Sequence, residues 1–219
     1  MKMLIAISIY IFSMIASTCA YSQASYDEGT YEVSFKPNST QGELDGCMLE
    51  YIATYNDQAY HHGRAYIVSG FIGVYFIRDS LALVLKAGTA KLDSKIKTEE
   101  PYFIFAKTKN YSTARFKGNS ATGENKFKIS VFPLFENLQI MEFVNSMVSE
   151  KSISIGYNLK KDGMDVVVPI DLTVKNTIIT NDRGYVRANS DEMINSFFGC
   201  YQELLDKQLK SAEKIIGKP

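Results

Sequence analysis

Two histidines, His61 and His62, stand side by side in a chain of 219 residues that holds no others. Imidazole is a common metal ligand and works as an acid or base near neutral pH, so the pair is the first place to look for chemistry. Neighbouring side chains on a strand point to opposite faces, so one zinc ion would reach both only across a distorted backbone. The pair reads instead as polar residues in the turn before Gly63. Gly118 and Gly123 have the opening spacing of a phosphate loop, but Glu124 and Asn125 stand where lysine and a hydroxyl residue belong, and a carboxylate there repels phosphate. Glu99 and Glu100 precede Pro101 in what reads as a loop. Glycoside hydrolysis needs two carboxyls facing each other across a cleft, which adjacency does not supply. The chain has no Gly-x-Ser-x-Gly elbow and no His-Glu-x-x-His pair. These residues predict no catalytic centre, no metal site and no cofactor.

Charge gives a different lead. Lys+Arg and Asp+Glu are 24 each, so the net charge is zero, which argues against a general nucleic-acid binder. The balance hides an asymmetry. Residues 21–60 hold seven acids against Lys36, net −6, whereas residues 86–128 hold ten bases against four acids, net +6. Strand alternation predicts Arg115 and Lys117 opposite Phe116, and Lys126 and Lys128 opposite Phe127 and Ile129. With Lys107 and Lys109 these bases form a candidate surface for an anionic partner, either an acidic protein face or an anionic envelope polymer. Tyr51, Tyr55, Tyr60 and Tyr66, with Tyr75 beyond, are candidate interface aromatics, because a tyrosine ring packs while its hydroxyl stays wet.

The N-terminus predicts where such a surface works. Lys2 is followed by an apolar run from Leu4 to Ala16 and small residues through Ala20, the pattern of a secretory signal, with residues 1–20 removed near Ala20. Cys19 raises lipid attachment, but Ala16-Ser17-Thr18 lacks the residues such a site shows. The apolar stretch Ile67–Leu85 is interrupted by Arg78 and Asp79 and reads as two strands joined by a turn, so no membrane span is expected in the mature chain. Residues 21–219 then carry two cysteines, Cys47 and Cys200. An exported chain with an even cysteine count pairs them. Cys47, Leu49, Tyr51, Ala53 and Tyr55 alternate along one strand face, and Met193, Phe197, Cys200 and Leu204 recur at helical spacing. A bond between them would pin the closing helix onto an early strand.

The elements that must hold these residues follow from periodicity. A period of two predicts strands near 31–36, 47–56, 64–77, 81–86, 102–108, 111–117 and 126–132. Gly70 and Gly73 predict a bulge or bend in the longest run, and residues 118–123 a loop. The period changes at Leu134, predicting a helix over 134–149. Strands return at Ile153–Leu159, Met164–Leu172 and Val174–Thr180, with an Asp162-Gly163 turn between the first two. Asn189 with Glu192 predicts a capping box for a closing helix over 190–215. The expectation is one α+β domain over residues 21–219: mainly antiparallel sheet, two helices, one disulfide. Its expected work is binding another protein, outside the cytoplasm (periplasm or secreted) and without catalysis. An inhibitor or an immunity-type neutraliser of a toxin or cell-wall hydrolase is the most concrete form. An accessory component of an envelope secretion or pilus assembly, or a hydrolase built from scattered residues, are the alternatives.

Overall fold

The computed structural model describes residues 28–77, 80–92, 98–134, 138–180 and 184–216. The leader therefore lies outside the described residues, as does the Arg78–Asp79 turn.

Four long strands run first: β1 (Gly29–Thr40), β2 (Glu43–Asp57), β3 (Arg64–Ile77) and β4 (Ser80–Lys91). They are antiparallel neighbours in chain order. The sheet continues through β8 (Lys128–Pro133) to the edge strand β7 (Asn119–Thr122), while the two-residue β5 (Thr98–Glu99) pairs with β4 beyond the end of β8. A second sheet has the order β10 (Val166–Asp171), β9 (Ser152–Asn158), β6 (Phe103–Lys107). A separate ribbon pairs β11 (Val174–Thr180) with β12 (Gly184–Asn189). Two helices complete the described elements, α1 (Leu138–Glu150) and α2 (Glu192–Ile216). The architecture is the expected α+β one.

One core joins these pieces. Cys47, Leu49, Tyr51, Ala53 and Tyr55 are all buried on one face of β2, and Tyr66, Val68, Ile72 and Val74 continue that face on β3. From above, α2 contributes Met193, Ile194, Phe197, Tyr201 and Leu204, spaced three and four apart. Ile104, Ala106, Ile153, Ile155, Val168 and Ile170 enter from the second sheet, and Phe143, Val144 and Met147 from α1. The Cys47–Cys200 disulfide is present and ties α2 to β2 across a sequence separation of 153. A bond of this kind belongs to an oxidising, extracytoplasmic compartment. No described helix is long and apolar enough to cross a membrane.

Several local expectations give way to tertiary context. The strand expected over 111–117 is a turn of 3-10 helix at Thr113–Arg115. Ser112 caps it, and the buried Thr113 hydroxyl accepts the Ala106 N–H at 2.9 Å, an alternative to ladder pairing that short hydroxyl residues offer. The loop expected over 118–123 contains β7, whose four residues are all exposed and so carry no alternation to read. Gly70 and Gly73 make no bulge, since β3 keeps an unbroken register with both neighbours. Gly70 is needed for space: a Cβ there would lie 1.8 Å from the Lys86 carbonyl oxygen, which accepts the Tyr51 hydroxyl at 3.0 Å. Phe127 and Ile129 do not enter the core opposite Lys126 and Lys128. Phe127 lies over Gly88, and Ile129 pairs with Lys86, both on the other face of the sheet. Leu134 is not helical, and the described part of helix α1 is Leu138–Glu150. The cap of α2 is Ser190, whose hydroxyl accepts the Glu192 N–H at 3.2 Å, while the Asn189 amide donates to Thr173.

Candidate functional site

Two groupings of chemistry-bearing side chains emerge, on opposite sides of the large sheet. The inner one centres on His61. Its Nδ1 lies 2.8 Å from Asp57 Oδ2 and its Nε2 lies 3.3 Å from Glu99 Oε2, while its ring stacks on Tyr66 with centroids 4.2 Å apart. The fully buried Asp57 also accepts the N–H groups of Ala59 and Tyr60, each at 2.9 Å, which shapes the turn between β2 and β3. Glu99 accepts the Tyr66 hydroxyl at 3.1 Å. Behind them runs a hydroxyl chain. Thr89 donates to the Ile67 carbonyl at 3.1 Å, Tyr55 shares a 2.6 Å bond with Thr89, and Tyr55 and Tyr157 bond each other. Each hydroxyl has one proton. With the Thr89 proton on Ile67, that of Tyr55 falls to Thr89 and that of Tyr157 to Tyr55, leaving the 3.4 Å contact from Tyr157 to Asp57 the weaker.

Burial raises the pKa of Tyr55, Tyr66 and Tyr157, with Asp57 and Glu99 adding to it at Tyr55 and Tyr66, and Tyr55 and Asp57 at Tyr157, because a phenolate there would be desolvated beside negative charge. A histidine with a carboxylate on each nitrogen has no free nitrogen for a substrate, and phenols held neutral are poor bases. What this arrangement does well is clasp three segments together: the β2–β3 turn, β5 and β9. Asp57 lies four residues before His61, a spacing visible in the sequence. Glu99 lies far along the chain, and only the fold joins it to the ring.

The outer grouping lies on the face of the sheet turned away from α2. Five residues form one row across five strands: Ser34 pairs with Glu50, Glu50 with Phe71, Phe71 with Lys86, and Lys86 with Ile129. Alternation puts all five on the outer side, since their chain neighbours Val33, Leu49, Tyr51, Ile72, Leu85 and Ser130 are buried in the core. The row reads carboxylate, phenyl ring, ammonium at its centre. Lys86 Nζ lies 5.9 Å from the Phe71 ring centroid and 4.9 Å from that of Phe127, within cation–π range. Glu50 meets Lys36 at 2.6 Å, an exposed pair of small worth. On this face lies a concavity of about 280 Å³ lined by Glu32, Glu50, Ile52, Phe71, Lys86 and Phe127. Beside it Tyr75 packs on Phe71 at 6.1 Å and lies over Gly46 and Gly73, so the face is paved with flat rings.

The expected site residues fare unevenly. Tyr51, Tyr55 and Tyr66 are buried in the core, which corrects their reading as interface aromatics: the β2 and β3 faces that carry them are those covered by the rest of the fold. Tyr60 is half-buried and donates to the Met164 carbonyl at 2.6 Å. Lys107, Lys109, Arg115, Lys117 and Lys126 are exposed and Lys128 half-buried. They belong to different elements and form no single file. Lys107 and Lys109 flank a groove of about 370 Å³ that also holds Glu150, whose carboxylate accepts the Lys109 N–H at 3.0 Å. The outer row itself went unread. Its signal was available in Arg64–Ile77, where Ile67, Phe71 and Tyr75 alternate with Tyr66, Val68, Ile72 and Val74, making the strand apolar on both faces. Among the described residues, no cluster of three or more histidine, cysteine or acidic side chains is arranged to hold a metal ion.

No family model matches the chain, and neither a curated protein nor a solved structure matches it.

Proposed function

We propose that this protein works by binding and not by catalysis: an extracytoplasmic, disulfide-pinned module that engages another protein with the open face of its large sheet. An inhibitor or an immunity-type neutraliser of a toxin or cell-wall hydrolase is the most concrete form of that work. The observation that carries the reading is the outer face itself. Antiparallel sheets with one solvated face alternate apolar and polar residues. Here the solvated side carries Ile52 at 38% exposure and half-buried Ile67, Phe71, Tyr75, Phe127, Ile129 and Val131. Apolar side chains gathered on one open face, with Glu50 and Lys86 among them, are what supports reading it as an interaction surface. The inner chemistry supports the same reading from the other side, because His61 and its carboxylates are occupied with one another.

The test is capture from an envelope extract by immobilised protein, at low and at high ionic strength, with Phe71→Glu in parallel. One dominant partner is expected, weakened by salt and lost with the variant. Retention of no protein at low ionic strength, or of the same set by Phe71→Glu, would contradict the reading.

A further inference from the structure

We infer that the occupant of the open face, in the purified protein, is a second copy of this chain, packed sheet on sheet about a two-fold axis that runs along β3 midway between the two faces. The inference rests on reading that face as a protein-binding surface and adds the identity of a partner. A two-fold interface brings the same patch of each copy together, so the patch must complement itself. A rotation about an axis parallel to the strands exchanges the β1–β2 flank with the β4–β8 flank and leaves each residue at the same height along the strands.

The central row satisfies that operation. Phe71 lies on the axis strand and meets Phe71 of the second copy. Glu50 on β2 comes opposite Lys86 of the second copy, and Lys86 opposite its Glu50, giving two compensated pairs. Toward Ile77 the Tyr75 ring covers the buried Gly73, and Tyr75, also on the axis strand, comes against Tyr75 of the second copy. In the row on the other side, Ile52 pairs with Ser69 and Ser69 with Gly88, which the Phe127 ring covers, so the rotation sets an exposed isoleucine against that ring. Apolar thus meets apolar, and acid meets base. The alternative rotation, about an axis crossing the strands, would set Glu50 over Glu50 and Lys86 over Lys86, and like charges oppose it. Aligned packing of two twisted sheets is a common geometry, with the strands of the two layers within about 30° of each other.

Sedimentation velocity on the purified, oxidised chain over a wide concentration range tests this, because it needs no other component. Wild type should pass from monomer to dimer with concentration, and salt should weaken the dimer. Phe71→Glu should stay monomeric. Glu50→Lys and Lys86→Glu should each raise the dissociation constant roughly tenfold or more, since each places like charges together twice. The double variant Glu50→Lys with Lys86→Glu should recover a large part of the loss, because it restores acid opposite base across the axis, while Lys36 loses its Glu50 partner. Monomer at every concentration, a dimer indifferent to Phe71→Glu, or losses that add in the double variant would each overturn the two-fold assignment. Circular dichroism showing wild-type folding in each variant keeps these outcomes readable. A monomeric wild type that still captures a foreign partner, and loses it with Phe71→Glu, would leave the proposed function standing while this inference falls.

Discussion

The two faces of the large sheet hold similar side-chain types and treat them oppositely. On the inner face, carboxylate, imidazole and phenol are brought together at Asp57, His61, Glu99, Tyr55 and Tyr157, and most of their polar groups find partners within the chain. On the outer face, Glu50, Phe71 and Lys86 line up in register, and their strongest internal contacts are an exposed ion pair and cation–π contacts. The inner set is satisfied by the fold and contributes to stability. The outer set lies on the sheet face turned away from the core and α2. Burial separates the two sets more sharply than residue type does.

Substitutions should divide along that line. The largest effect belongs to the disulfide, which ties the helix side of the inner face. Chain entropy for a closure of 153 residues gives about 5 kcal/mol, so Cys47→Ser or Cys200→Ser should lower the denaturant midpoint steeply. Next is Asp57→Ala, which strips acceptors from Ala59, Tyr60 and His61 and should cost about 3 kcal/mol in equilibrium unfolding, with association unchanged in whatever folds.

Alkali probes the same inner face. Burial raises the pKa of Tyr51 and Tyr157 above the ordinary value of 10.0, so their stabilising contribution is whole below that pH and is lost as pH climbs through the raised values. By about pH 12 each should cost on the order of 2 kcal/mol. Phenolate absorbance should therefore rise in two stages, exposed tyrosines first and the buried ones together with unfolding. Phenolate appearing in a single smooth titration while the fold persists would break the contrast. The smallest stability effect is expected on the outer face, where Phe71→Glu should change unfolding by about 1 kcal/mol or less while abolishing association.

How far the sequence could be read follows the same division. β3 and β11 were legible to the residue, because β-branched and aromatic residues fill them and polar turn-forming residues flank them in the sequence. The Cys47–Cys200 bond was legible because each cysteine sits within an apolar pattern of its own element. The turn at Thr113–Arg115 was not, because a hydroxyl to Ala106 replaced ladder pairing without altering the periodicity. Tyr51, Tyr55 and Tyr66 misled because a tyrosine suits a core and an interface equally, and only the covering layers decide. The outer row was hidden for a different reason. Ser34, Glu50, Phe71, Lys86 and Ile129 are distant in sequence, and strand register alone makes them neighbours.

Radical footprinting of the aromatic rings, read residue by residue at low and high protein concentration, measures the contrast between the faces most directly. In dilute protein Phe71, Tyr75 and Phe127 should be labelled, and Tyr51, Tyr55 and Tyr157 should not. As concentration rises, or as a captured partner is added, the first three should become protected while the last three stay dark. Outer rings already protected in the dilute monomer, or left fully labelled when a partner is bound, would contradict the view that this face is where the protein does its work.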